Sequence, residues 1–302
     1  MKFDIIGKRY LWFLLSALVL VPCIISMAVQ GFNLGIDFTG GTLLDLKFDR
    51  PVTVAEVRDV LKDHQLENST IQLAAAGQVA SSQNVFIRTH VLDENQRRAL
   101  VNDMGQKLGA FDVLRVEKVG ATIGSELTRN AVLALLISWL LMIGYITYRF
   151  EFKFAVAGIL ALIHDIIIVL GAFSLMQLEI DAAFVAALLT IVGYSINDTI
   201  VIFDRIRENL KAHRKGEDFK DLVNRSIWQT MTRSIYTVLT VLFAAVSLYV
   251  FGGETTKNFA LALIIGISTG AYSSIFNASP IWVTWKEHTD HKRLSAKTKG
   301  AK

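Results

Sequence analysis

The chain has 302 residues, 52% of them hydrophobic, and 31 Lys and Arg against 27 Asp and Glu give it a formal net charge of +4. A mean hydropathy of +0.43 argues against both a soluble globule and a disordered chain, and in favour of a membrane protein. Its single cysteine, Cys23, rules out an internal disulfide framework and lies inside an apolar run.

About 20 apolar residues cross ~30 Å of hydrocarbon at 1.5 Å per residue, and six stretches satisfy that length. A basic segment, residues 1–9, with Lys2, Lys8 and Arg9, precedes the first span, Tyr10–Val29. This run is longer than the core of a cleaved leader and no small-x-small site follows it, so it reads as an uncleaved anchor. Residues 30–130 have globular character and form one domain on the far side of the membrane. It opens on "LGIDFTGG", Leu34–Gly41, where Asp37, Gly40 and Gly41 make a candidate turn motif. The glycine pair could cradle an anion, yet no helix directly follows to supply a dipole, and a tight turn is the plainer reading.

"GTLLDLKF" then alternates as a strand does. "TVAEVRDVLKDHQL" sets Thr53 and Glu56 at capping-box spacing and Val57, Val60 and Leu61 on one face. "STIQLAAA" and "NVFIRTHV" read as strands around the loop Gly77–Gln83. Asp93 and Gln96 cap a second helix closed by Gly109, and "FDVLRVEKV" is a last strand. The β-α-β-β-α-β order is that of a ferredoxin-like domain, a scaffold that names no function. His64 and His90 are surface histidines with no acid, nucleophile or metal cluster beside them.

The second span is Ala131–Tyr148 and the third Phe154–Met176, interrupted by His164 and Asp165. The fourth, Ala182–Phe203, holds Asp198. A basic segment, residues 204–233, carries an apolar stripe of Phe219, Leu222, Val223 and Ile227, the pattern of a helix lying on an anionic membrane surface. The fifth span is Ser234–Phe251 and the sixth Asn258–Trp285, followed by the basic tail 286–302. "GISTG", Gly266–Gly270, offers a close-packing face. Lys and Arg crowd the ends of the spans on one side, while "QLEID" has none and "GGETTKN" only Lys257. Both termini are therefore expected in the cytoplasm. Topology accounts for the basic tail without nucleic acid.

Asp198 is the costly residue. It follows sixteen uncharged residues, about 24 Å into a ~30 Å path and so in its cytoplasmic third; a charged Asp costs about 2.5–3.5 kcal/mol at mid-membrane on insertion scales and somewhat less toward the edge. Tyr194 shares its face at i, i+4, and Ser195, Asn197 and Thr199 add polar groups. Arg233, at the start of the fifth span, has a compatible depth, with Thr237 one turn deeper. Two uses fit: a static polar cluster that holds helices together, or a protonatable carrier whose affinity changes as an arginine approaches and withdraws. His164 and Asp165 are adjacent, about 100° apart on their helix, so one would serve the bundle seam as a relay and the other a neighbouring protein; a satisfied buried histidine is the plain alternative.

"GFNLGIDFTGGT", "IHDIIIVLG", "VGYSINDTIVIFDRIREN", "TRSIYTVLT" and "LYVFGG" together resemble the SecD/SecF family of protein-export membrane subunits, within the resistance-nodulation-division superfamily. The likeness runs from Gly31 to about Ile281 and implies an α-helical polytopic membrane protein: six transmembrane helices and one external α+β ferredoxin-like (βαββαβ) domain between the first two. It implies a non-enzymatic subunit of the Sec translocase in the bacterial inner membrane that uses the proton motive force to promote late steps of export. Asp198, Arg233 and Thr237 would handle the proton, with His164, Asp165 and Asn197 as relay candidates. Its partners would be SecD, the SecYEG translocon, YajC, the unfolded polypeptide in transit and protons; no cofactor, metal or nucleic acid is implied. Two rivals make other demands. An intramembrane aspartyl protease using Asp165 and Asp198 wants Gly-x-Gly-Asp, where "SIN" precedes Asp198. A complete exporter of the superfamily wants twice the spans and a second large external domain.

Overall fold

A computed structural model of the chain describes residues 3–73, 81–212 and 217–299. Lys2, Arg214, Lys215, Lys302 and most of the Gly77–Gln83 loop lie outside the described residues. In chain order the elements are α1 (Arg9–Val29), β1 (Asn33–Leu34), α2 (Ile36–Thr39), β2 (Gly41–Val52), α3 (Val54–Asp63), β3 (Thr70–Leu73), β4 (Ser82–Thr89), α4 (Glu94–Leu108) and β5 (Phe111–Val119). There follow α5 (Ala121–Arg149), α6 (Phe152–Met176), β6 (Glu179–Ile180), α7 (Ala182–Lys211), α8 (Phe219–Phe251), α9 (Glu254–Ser273), a π-helical turn (Ser274–Ala278) and α10 (Ser279–Lys299). The chain divides into two compact units, residues 34–132 and residues 1–33 with 133–302.

The smaller unit is the expected α+β domain. Its four strands are ordered β3-β4-β2-β5 and every neighbouring pair is antiparallel, which is the ferredoxin-like arrangement. Alternation along β2 sends Leu44, Leu46 and Phe48 into a core with Val57, Val60 and Leu61 of α3 and Leu100, Met104 and Leu108 of α4. Both predicted capping boxes form: Glu56 N–H donates to Thr53 Oγ1 at 3.2 Å, and Gln96 N–H donates to Asp93 Oδ1 at 2.8 Å. His64 is tied rather than idle, its Nε2 lying 3.2 Å from Asp103 Oδ2 between the two helices.

Among the described residues of the whole chain, six helical rods are long and apolar enough to cross a membrane, the last running through the π-helical turn as Thr255–Thr289. This is a multi-pass helical membrane protein, as the hydropathy predicts. The helix α6 is buried along most of its length, whereas α1, α5 and α8 expose rows of large apolar side chains such as Leu18, Leu140, Leu141 and Phe243. Small residues permit the closest approaches: a methyl on Gly171 would meet the Cβ of Cys23 on α1.

One sequence expectation is overturned. Residues from Phe219 onward do not lie on a membrane surface but form the first turns of the continuous 33-residue α8. Their stripe is packed in protein: Leu222, Val223 and Ile227 are fully buried with Ile5, Ile6, Ile206 and Trp282. The N-terminal segment covers them, held by a hydrogen bond from Ile5 N–H to Asn224 Oδ1 at 2.9 Å and one from Trp228 Nε1–H to Phe3 O at 2.9 Å. An amphipathic pattern demands an apolar contact, and this chain supplies its own.

Candidate functional site

Two carboxylates lie inside the helical unit. The buried face of α7 repeats at Leu188, Ile191, Ser195, Asp198 and Ile202, three and four residues apart, which turns Asp198 into the bundle. Its carboxylate accepts Ser234 Oγ–H of α8 at 2.6 Å on Oδ1 and Ser274 Oγ–H of the π-helical turn at 2.6 Å on Oδ2. Three elements therefore meet on one side chain that is only 8% exposed.

Asp165 of α6 is completely buried and accepts more. Its Oδ2 takes Ser195 Oγ–H of α7 and Ser273 Oγ–H of α9, both at 2.7 Å, and its Oδ1 lies 3.0 Å from His164 Nδ1. The seriate pair Ser273 and Ser274 thus divides between the two carboxylates, since consecutive residues on a helix point in diverging directions. The approach of α9 to α7 makes this reach possible. A methyl on Gly266 would fall 2.3 Å from Ile191 Cδ1, and one on Gly270 would fall 3.0 Å from Ser195 Cβ. The "GISTG" stretch is the close-packing face that its small residues predict.

Polar contacts continue to α1. Ser16 Oγ lies 3.0 Å from Asn277 Oδ1 and 3.2 Å from the Tyr272 hydroxyl, which itself donates to Trp12 O at 3.0 Å. The Tyr272 ring lies 6.1 Å from the His164 ring.

Protein families recognise most of this chain. The family described as protein export membrane protein SecD/SecF, C-terminal, matches residues 100–288, and the SecD/SecF GG motif matches residues 25–52. A protein translocase subunit SecF of Acidaminococcus fermentans is 55% identical, covering 95% of this chain and 98% of its own length.

The chain belongs to the SecD/SecF family.

A SecF of Alicyclobacillus acidocaldarius is 45% identical over 96% of the chain and 95% of that protein. Among solved structures, the crystal structure of SecDF, a translocon-associated membrane protein from Thermus thermophilus, matches with a TM-score of 0.87 and 38% identity. That match covers 95% of this chain and 39% of the SecDF chain, so this chain spans well under half the length of that relative.

Against the sequence expectations for a SecD/SecF protein, two contacts differ. Arg233 does not hold Asp198; the residue after it does. On α8 the buried stripe runs through Thr230, Ser234 and Val238, so Ser234 faces the carboxylate while Arg233 and Thr237 lie on the neighbouring exposed stripe. Thr237 Oγ1–H donates to Arg233 O at 3.0 Å. The second difference is at His164 and Asp165. Both point inward and they bond one another, because a side chain two or three bonds long bends across the 100° that separates neighbouring Cβ atoms. Asn197 lies on the exposed side of α7.

Asp37, Gly40 and Gly41 belong to the other unit. Asp37 sits in the single turn α2, and Gly40 and Gly41 follow with φ of +70° and +134°. The signals that sequence reasoning passed over are Ser234, Ser273 and Ser274; Ser195, read there as part of the polar patch around Asp198, donates instead to Asp165. Each reads as an ordinary small polar residue in a span; Ser273 and Ser274 stand three and four residues after the close-packing Gly270, the local signal that would have marked them, and Ser234 has no such neighbour.

Proposed function

We propose that this chain is the SecF-type subunit of a Sec protein translocase, working with a SecD-type partner, and that Asp198 takes up and releases protons to drive late steps of export across the inner membrane. The observation that carries this reading is the buried Asp198 carboxylate, held by two serine hydroxyls from two other helices. An acidic group at this depth is expensive unless it is used or paired, and serine is a weak partner for a permanent charge. A carboxylate held by neutral donors changes protonation state at small structural cost, since a hydroxyl both donates and accepts.

Arg233 and Thr237 enter as the modulating pair. They lie on the exposed stripe beside the site, where the SecD half would bring its own helix, and a guanidinium moved toward Asp198 would favour its ionised form. Each proton crossing the full field supplies about 2.3 kcal/mol per 100 mV. Both termini would lie in the cytoplasm, with residues 30–130 on the far side, near SecYEG and YajC and in reach of the emerging unfolded chain. The protein would do no covalent chemistry. The name of the Thermus thermophilus relative, SecDF, a translocon-associated membrane protein, supports the partnership.

The test is Asp198→Asn in vesicles that carry the reconstituted complex. Export stimulated by an imposed pH gradient should fall to the level seen without the gradient, while ATP-driven early insertion persists. Gradient-driven export at wild-type level would remove the proton role.

A further inference from the structure

We propose that His164–Asp165 is a second proton-binding site, and that the junction of α9 with the π-helical turn, tied by Ser273 to Asp165 and by Ser274 to Asp198, makes proton binding at each carboxylate depend on the other. This rests on the reading of Asp198 as a proton site and extends it to a coupled pair.

The first observation is the burial and partnership of Asp165. It is 0% exposed and its three donors are His164 Nδ1, Ser195 Oγ and Ser273 Oγ, with no lysine or arginine among the partners the described residues give it. A histidine–aspartate pair inside hydrocarbon is least costly when it holds one proton between its two members and carries no net charge. A second proton, or the loss of the first, leaves a net charge that its surroundings must answer. Among the described residues the groups shown against it are few. From α7 comes Ser195; from α9 come Ser273 and, beside His164, the Tyr272 ring; Asn277 of the π-helical turn bonds Ser16 of α1 instead. Cys23 of α1 packs farther along α6 on Gly171, and from α5 the neighbours Trp139 and Met142 carry no charge. The Nε2 of His164 is buried without a hydrogen bond, a position open to a further proton or to a water that brings one.

The second observation is the linkage. Ser273 and Ser274 stand where α9 passes into the π-helical turn, and each has a second acceptor on its own helix: Gly270 O at 3.3 Å from Ser273 Oγ, and Ala271 O at 3.2 Å from Ser274 Oγ. When a carboxylate oxygen takes a proton from a hydronium ion, one O–H bond of the hydronium breaks and leaves water, one O–H bond forms on the carboxyl, and the serine that donated to that oxygen loses its acceptor. Its hydroxyl turns to the carbonyl three residues back. No other covalent bond forms or breaks, and release to water reverses the step. A π-helical turn holds one residue more than an α-helix would and recurs at functional sites. Both carboxylates hold the junction of α9 with this turn, through the adjacent residues Ser273 and Ser274, so it is a single two-state element that either site biases, which is the physical requirement for coupling. Protonating Asp198 frees Ser274, relaxes the turn and withdraws Ser273 from Asp165.

Infrared difference spectra of the full chain in lipid nanodiscs, recorded in the carboxylic acid C=O region as a function of pH, test this directly. Two titrating bands are expected, one absent in Asp165→Asn and the other in Asp198→Asn. Ser274→Ala, which removes no contact of Asp165, should shift the midpoint of the Asp165 band by at least about fivefold in proton affinity, the lower end of ordinary coupling between sites. Ser274→Thr should return it toward wild type. An Asp165 band that does not respond to pH, or a shift smaller than that in both Ser274→Ala and Asp198→Asn, overturns the inference. A silent Asp198 band overturns the proposed function itself, whereas a titrating Asp198 beside a silent Asp165 overturns only the second site. If Asp165→Asn does not accumulate, His164→Gln carries the assignment, since it keeps the carboxylate and moves its band.

Discussion

Replacing Gly41 by Ala should destabilise the α+β domain far more than the same change at Gly109, although both glycines have a positive φ. Gly109 closes α4 with φ +99°, and nothing lies within 4 Å of an added Cβ, so alanine there meets only the backbone penalty of about 1–3 kcal/mol. Gly41 has φ +134°, and its Cβ would fall 2.4 Å from Thr89 O, an atom of the neighbouring strand β4 that cannot turn aside. Overpacking adds about 1–3 kcal/mol, for a total of roughly 2–6 kcal/mol. Gly120, with no positive φ and open space, is the control. Amide hydrogen exchange of the full chain in nanodiscs reads the difference in peptides covering the β2–β4 ladder, Leu43–Leu46 against Val85–Arg88. At about 1.4 kcal/mol per tenfold, Gly109→Ala should speed exchange roughly 5- to 150-fold and Gly41→Ala roughly 30-fold or more. Equal exchange in the two variants would show that the pair Gly40–Gly41 is kept for something other than close strand approach.

Glu94 accepts from Arg97 and Arg98, which hold its carboxyl down to about 2 from an ordinary 4.5. A depressed carboxylate contributes stability that is present above about pH 4.5 and fades as the pH falls toward about 2, so α4 should loosen over that window in wild type but not in Glu94→Gln, as amide exchange near its N-terminus will tell. Gly266→Ala should cost about 1–3 kcal/mol by driving a methyl into Ile191, and Ile191→Ala should restore part of that loss in the double variant; strictly additive losses in a detergent unfolding series would deny the contact. Glu287 pairs with Arg9 at 2.8 Å and with Lys220 at 3.2 Å, so Glu287→Gln should raise tryptic cleavage at Lys8 in inside-out vesicles, and unchanged cleavage would mean that the buried Ile5 and Ile6 hold the segment without help.

What could be read from the residues was local. The capping boxes at Thr53 and Asp93, the alternation of β2 and the lengths of the apolar runs each depend on neighbours within a few positions, and each has its counterpart in the structure. The place of Asp198 along its helix was legible in the same way, because it needs only a count of residues along one rod. Its partners were not. Thr269 and Ser273 look alike in the sequence, yet Thr269 Oγ1 satisfies itself on Ile265 O while Ser273 crosses to Asp165. Which of the two happens depends on the rotation of one helix against another, a quantity that no single helix encodes. The amphipathic stripe from Phe219 failed for the same reason, since lipid and a neighbouring helix offer the same apolar contact. Helix rotation is also the variable that a machine of this kind would change. If Ser234, Ser273 and Ser274 meet their carboxylates only at one setting of α7, α8 and α9, then the feature that hid these serines from the sequence is the one that lets them report a shift of those helices.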